Sequence, residues 1–212
     1  MIAENNQYRT YRIEESIFFS KTDEPFGGLS NMAPGYSILI NENLISSSEA
    51  LYQACRFSLF PDIQAEIIKQ TSPMTAKMIS RKYHHFSRQD WDQIKFKVMK
   101  WCLEVKLSQN WSKFSTLLKE TGDKNIVELS KRDKVWGAIK KNDSELYGIN
   151  ALGRLLMELR QNYIRYDKKI YCVDPPDITG FLLFEHPIDT VCNEDYYMQR
   201  LDSSLIDGLL LQ

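Results

Sequence analysis

Apolar side chains return with helical spacing over much of the chain. Trp91, Ile94, Val98, Met99, Cys102, Leu103 and Val105 form one stripe, which predicts a long helix near 90–107 with Asp90 as its cap. Leu51, Ala54, Cys55 and Phe57 do the same on a shorter scale, behind serines that suit a helix start, and predict a helix over 48–59. Pro61-Asp62 opens another through about Gln70, and Ser72-Pro73-Met74 starts a third, with Ser72 as cap and Pro73 at the first helical position. Trp111 to Lys119 reads as a short amphipathic helix stopped by Thr121-Gly122, and Ala151 to Arg160 as a strongly apolar one capped by Asn150.

Strand signals are fewer. Ile17-Phe18-Phe19-Ser20 and Ile126 to Ser130 are short candidates. Tyr36 to Ile40 and Leu44-Ile45, joined by Asn41-Glu42-Asn43, read as a hairpin. Residues 1 to about 15 are polar and read as a frayed end or a lead-in strand, and a polar loop precedes Tyr147-Gly148. The character changes after about 166. Asp174-Pro175-Pro176-Asp177 is a breaker cluster, 181–184 a candidate strand and 195–211 a short terminal helix. The expected fold is mainly α, of α+β class: a helical domain over 1–165 with a small N-terminal β-ribbon, and an extension over 166–212 packing on it.

Polar residues interrupt these apolar faces at informative places. Glu49 and Gln53, four apart, share one helix face, and Glu49 lies in the first turn, where the helix dipole favours a carboxylate. A capped surface helix accounts for that pair equally well. A Lys on a buried stripe must snorkel, pair with an anion or lose its proton more readily. Lys95 and Lys106 both fall within the long stripe, but roughly 16 Å apart, too far to serve one reacting atom. Met99, Cys102 and Leu103 surround Lys106 on the wheel. The loop over 25–35, dense in Gly, Pro, Ser and Asn, carries Asn31, a donor and acceptor. Gly153 inside a helix implies close packing or the approach of another group.

Composition narrows the class. Over 212 residues the net charge is −1, which argues against a globally basic nucleic-acid binder but not against a local basic cleft. Aromatics make up 12% and argue against disorder. Cys55, Cys102, Cys172 and Cys192 are scattered without a CxxC pair. With no secretory signal and no apolar run near 18 residues, they point to a soluble protein of a reducing, cytoplasmic compartment without membrane contact.

Taken in order, these segments resemble the NADAR family (named for NAD and ADP-ribose), also called YbiA-like. The resemblance runs through Phe18-Phe19-Ser20, Leu29-Ser30-Asn31-Met32-Ala33-Pro34, Ser48 to Ala54 and Ser72 to Lys77. It continues with Trp91, Val98-Met99 with Lys106, Thr121-Gly122, Val127-Glu128, Asp133, Trp136-Gly137 and Asn150 to Arg160. Two positions depart from the pattern. Trp136-Gly137 is followed by Ala138-Ile139 where another Gly often follows, and Leu107 stands where a Phe commonly follows the Lys. The resemblance implies a mostly helical fold, a metal-free cleft and no cofactor. It also implies N-glycosidase chemistry on ribosides, either ADP-ribosyl groups on guanine in DNA or RNA or ribosylamino phosphate intermediates of riboflavin synthesis.

Cleaving a ribosyl C–N bond needs acid help for the leaving nitrogen, stabilisation of charge at the anomeric carbon and an acceptor for that carbon. On this reading Glu49 is the general acid/base and Lys106 a Schiff-base nucleophile or electrostatic stabiliser. Asp133 orients the ribose or shares the acid/base role. Lys77 is the alternative amine and is favoured as a phosphate contact. Asn31, Gln53, Glu128, Trp136, Gly137, Asn150 and Gly153 are expected to bind substrate, with Asn150 placing a helix N-terminus near a phosphate. A reader of ADP-ribose that does not cleave it is the competing class. The physiological riboside, the oligomeric state and the role of the extension stay open at this level.

Overall fold

A computed structural model describes residues 7–198. The strand β1 (Arg9–Arg12) and β2 (Ser16–Phe19) precede the hairpin of β3 (Ile38–Ile40) and β4 (Asn43–Ile45). Asn41 and Glu42 both adopt positive φ at its tip, the backbone a tight two-residue turn requires. The helices α1 (Ser48–Cys55), α2 (Pro61–Ile68), α3 (Pro73–Lys82), α4 (Trp91–Gln109) and α5 (Trp111–Glu120) follow. Then come β5 (Asn125–Glu128), β6 (Ile139–Lys140), β7 (Glu145–Gly148) and α6 (Ala151–Leu159). The chain ends in short pairs, β8 (Cys172–Val173) with β11 (Val191–Cys192) and β9 (Leu182–Leu183) with β10 (His186–Pro187).

The helices predicted between 48 and 160 all form, within a few residues of their expected ends. Ser47 Oγ accepts the Ala50 amide at the start of α1, and Ser72 Oγ accepts that of Thr75 at the start of α3. Two expected caps fail. The Asp90 carboxylate is taken by the Arg88 guanidinium at 2.6 and 3.0 Å and caps nothing. Asn150 stands before α6 with a left-handed backbone, and its side chain serves β5 instead. The stretch read as a polar loop before Tyr147 holds β6 and the start of β7, which with β1 form an antiparallel sheet in the order β1-β7-β6. Strands this short, joined by a turn rich in charge, show no alternation to read. The terminal helix expected over 195–211 lies largely outside the described residues.

Helix α4 is the axis of the core. It packs against α1, α5, α6, β3, β8 and β11. Ile170, Val173, Phe181, Leu183, Ile188 and Val191, all beyond residue 166, belong to the same hydrophobic cluster as the helices. The expectation of reduced cysteines holds for Cys55 and Cys102, which are free and buried in that core. It fails for Cys172 and Cys192, which are joined in a disulfide linking β8 to β11. Periodicity cannot foresee this, because the pairing depends on where the two strands dock. Among the described residues no helix is long and apolar enough to cross a membrane.

Strand β2 pairs with β5 in parallel, setting Phe19 opposite Glu128, and α6 lies across β5. Gly153 makes that crossing possible: a Cβ there would stand 2.0 Å from the Ile126 carbonyl oxygen. In an open helix Gly→Ala gains stability; here the backbones would have to part. Gly153→Ala is expected to lower unfolding free energy by at least about 2 kcal/mol, read by urea denaturation.

Candidate active site

Two helices each aim one polar stripe into a common cleft. From α1 and its C-terminal end come Glu49, Gln53 and Arg56; from α3 and the turn after it come Lys77, Arg81 and His84. Both sets follow the i, i+4, i+7 spacing that keeps residues on one helix face. The end of β5 adds Glu128, and the turn beyond it adds Ser130, Asp133 and Trp136. Asn31 and Met32 arrive from the glycine-rich loop, and the enclosed volume is about 450 Å³.

Glu49 is almost completely buried, at 1% exposure. Gln53 Nε2 donates to its Oε1 at 2.8 Å, the Asn31 amide donates to Oε2, and Lys77 Nζ lies 3.5 Å from Oε1. Only donors converge on this carboxylate, which leaves it fixed in orientation. Ser80 donates to Gln53 Oε1, so the amide cannot flip without losing a bond.

Glu128 is in a different state. Burial pushes its carboxyl from 4.5 up to about 7, the Lys77 charge opposes that rise, and Asp133 and Glu49 add to it. Two nearby carboxyls in unlike surroundings are the arrangement that separates an acid from a base. On the opposite wall, Arg56 Nη1 lies 2.7 Å from His84 Nε2. A guanidinium only donates, so that nitrogen accepts. Burial, then the charges of Arg56 and Arg81, lower the His84 pKa, which keeps the ring neutral near pH 7. The cations that face a ligand are therefore Arg56, Lys77 and Arg81.

Glu49, Gln53, Asn31, Lys77, Glu128, Asp133 and Trp136 thus meet as the sequence reading expects. Asp133 is exposed, and its Oδ1 accepts the amides of Val135 and Trp136 at 2.8 and 2.9 Å, holding the turn that presents the Trp136 ring. Four expected residues do not line the cleft. Lys106 is fully buried behind it, donating to the Gly28 and Ser30 carbonyls at 2.7 and 2.9 Å over the rings of Tyr36 and Phe114. Burial, followed by the charge of Lys113, lowers its pKa well below that of a free amine. It holds the loop that carries Asn31, and no substrate aldehyde reaches it there. Lys95, by contrast, snorkels to Asp92 at 2.7 Å.

Asn150, Gly153 and Gly137 build the end of β5. Asn150 Nδ2 donates to the Ile126 carbonyl at 2.8 Å and its Oδ1 accepts the Glu128 amide at 3.1 Å. A Cβ at Gly137 would meet the Glu128 carbonyl oxygen at 2.4 Å. The expected phosphate site at the start of α6 does not form, because the Ala151 and Leu152 amides donate to the Val135 and Trp136 carbonyls. Sequence reasoning passed over Arg56, Arg81 and His84, although the i, i+4, i+7 repetition from Glu49 and from Lys77 marks them.

A family described as the NADAR domain matches residues 17–163. The chain belongs to the NADAR family. It is 33% identical to N-glycosidase YbiA of Shigella flexneri, over 68% of this chain and 86% of that protein. It is also 33% identical to a riboflavin biosynthesis protein of Vibrio vulnificus, over 72% of this chain but only 40% of that longer protein. The NMR structure of Escherichia coli YbiA superposes with a TM-score of 0.62 at 29% identity, covering 74% of this chain and 89% of that one. The NADAR match ends before β8, so the disulfide-linked pair of strands lies outside it.

The raised Glu128 pKa has a consequence for stability. Between about pH 4.5 and pH 7 the folded protein holds a proton that the unfolded chain has released, so this residue makes stability fall as pH rises through that window. Glu128→Gln is expected to remove that fall, melting higher than wild type at pH 8 but not at pH 4, as differential scanning calorimetry would read.

Proposed function

We propose that this NADAR protein is an N-glycosidase that removes ADP-ribose from guanine bases of nucleic acid. The observation that carries the reading is the pairing of a half-buried carboxyl raised to about 7, Glu128, with a donor-bound carboxylate, Glu49, in one cleft. Glu128 is suited to protonate the departing nitrogen. Glu49 is suited to stabilise positive charge at the anomeric carbon or to deprotonate the incoming nucleophile. Arg56 and Arg81 offer two guanidinium groups to anionic oxygens, which supports a phosphate-bearing ligand. The name N-glycosidase borne by YbiA supports the reaction class.

A second substrate has specific support. The Vibrio vulnificus relative is named for riboflavin biosynthesis, and a ribosylaminopyrimidine phosphate carries the same exocyclic C–N bond. Mass spectrometry of an oligonucleotide carrying ADP-ribosylguanine, run beside that pyrimidine, separates the two substrates. Free ADP-ribose is expected from the oligonucleotide. Binding of ADP-ribose without turnover of either substrate would leave a reader and sink the hydrolase.

Glu49→Gln and Glu128→Gln are each expected to lower kcat by about 10²–10⁴-fold, the usual worth of a positioned acid or base. The wild-type rate should fall above about pH 7, as Glu128 loses its proton, and the Glu128→Gln variant should lose that limb. The amine route now belongs to Lys77, the lysine that lines the cleft. Borohydride added during turnover is expected to fix an adduct on Lys77, found by peptide mapping. An adduct on Lys106 would overturn the assignment.

A further inference from the structure

Tyr52 lines the reaction cleft from α1, one turn beyond Glu49 and one turn before Arg56. Its ring is wedged between two indoles, Trp91 at 5.0 Å and Trp136 edge-on at 5.6 Å, and only 5% of the residue is exposed. A phenylalanine would pack there equally well, so packing does not account for the hydroxyl. Among the described residues that hydroxyl has no hydrogen-bond partner. It is not sealed in the interior either; the buried side-chain atoms left without a partner among the described residues are Arg56 Nε and Trp101 Nε1. The Tyr52 oxygen therefore opens into the cleft at the tip of a buried ring. Burial, and then the charge of Glu49, raise its pKa well above the ordinary phenol value, so it keeps its proton and can donate.

A second unused group stands close by. Asn31 is 8% exposed, lines the same cleft, and donates its amide to Glu49 Oε2. A carboxylate only accepts, so that bond fixes which end of the amide is nitrogen. The other end, Oδ1, accepts from no described residue. The neighbourhood of Glu49 thus presents a donor and an acceptor, both on deeply buried side chains and neither satisfied within the protein. A phosphate oxygen accepts only and would leave Asn31 Oδ1 unmatched; Arg56 and Arg81 are the groups suited to it. A sugar hydroxyl donates and accepts, and matches both. Position agrees with chemistry. Glu49 and Arg56 stand roughly 10 Å apart along the helix axis, and a ribose with its anomeric carbon at the first and its phosphate at the second lies across Tyr52.

We propose that the Tyr52 hydroxyl is a substrate-binding group that hydrogen-bonds a hydroxyl of the ribose in the reaction cleft, with Asn31 Oδ1 as the companion acceptor. The inference rests on the N-glycosidase reading for placing the anomeric carbon at Glu49. It makes the cleft selective for a sugar that carries that hydroxyl, because a sugar without it strands buried polar groups of the site.

Tyr52→Phe removes the hydroxyl and keeps the ring between its two indoles. Calorimetric titration should show the variant binding ribose 5-phosphate about fivefold to tenfold more weakly, the range of one lost hydrogen bond, with inorganic phosphate unchanged. The loss should vanish for one of two further ligands, 2-deoxyribose 5-phosphate or 3-deoxyribose 5-phosphate, whichever lacks the hydroxyl that Tyr52 holds. Unchanged affinity for ribose 5-phosphate overturns the proposal. So does equal weakening of inorganic phosphate, or an undiminished loss with both deoxy sugars. Turnover separates the contact from the reaction. For a riboside that is cleaved, kcat/KM should fall by the same factor; cleavage with kcat/KM unchanged in Tyr52→Phe keeps the hydrolase and refutes the role of Tyr52. Ribose 5-phosphate bound in the expected pattern, with neither the ADP-ribosylated oligonucleotide nor the ribosylaminopyrimidine phosphate cleaved, refutes the hydrolase and keeps the contact. Wild-type protein that neither binds ribose 5-phosphate nor cleaves either riboside refutes both.

Discussion

The side-chain amide of Asn150 holds the start of α6 to strand β5. It is fully buried, and it bonds two points on the same strand, the Ile126 carbonyl and the Glu128 amide. Its backbone amide reaches the Gly137 carbonyl as well. Strand β5 is only four residues long and pairs with a single parallel neighbour, so backbone bonds alone fix it weakly. In a dry interior a satisfied amide is strong and an unsatisfied one costly, which ties the position of Glu128 to the start of α6. The left-handed backbone of Asn150 is the local strain this arrangement carries.

Lys106 plays the matching part on the opposite side. Its amine sits under the loop that delivers Asn31, and the Asn31 carbonyl in turn receives the Glu49 amide and the Ser48 hydroxyl. Burying a lysine is unfavourable for stability in itself. Its gain lies in geometry, because two carbonyls and two ring faces define one place for the amine and hence one path for the loop. The cleft is thus framed by polar anchors that never touch its contents. Within it, the carboxyls of Glu49 and Glu128 line the same cleft as the cations from α1 and α3.

The helices were legible because each buries a stripe, and a stripe leaves a period of 3.6 in the sequence. Glu49 and Gln53 were legible from the same period, standing four apart on one face beside the apolar side of their helix. The strands of two to four residues left too few positions to alternate, and the parallel pairing of Ser16–Phe19 with Asn125–Glu128 joins segments more than 100 residues apart. Lys106 could be placed on the buried stripe of α4, but a helical wheel gives a direction without saying what lies there. It offered an amine where the fold needed an anchor. Glu128 entered the expected site through the family resemblance, inside a strand candidate over 126–130, whereas its raised pKa comes first from burial and then from Asp133 and Glu49, brought by other segments. The disulfide left no trace, because neither cysteine stands in a motif.

That disulfide closes a ring over a sequence separation of 20 residues. Exposed turn residues such as Glu185 and His186 are where proteases nick a folded chain. A cut there would leave two polypeptides still joined through sulfur, with α4 packed against β8 before the cut and β11 after it. While the bond is intact, this part of the molecule can be severed without being lost; once the bond is reduced, the same cut frees the piece that follows it from its covalent tether.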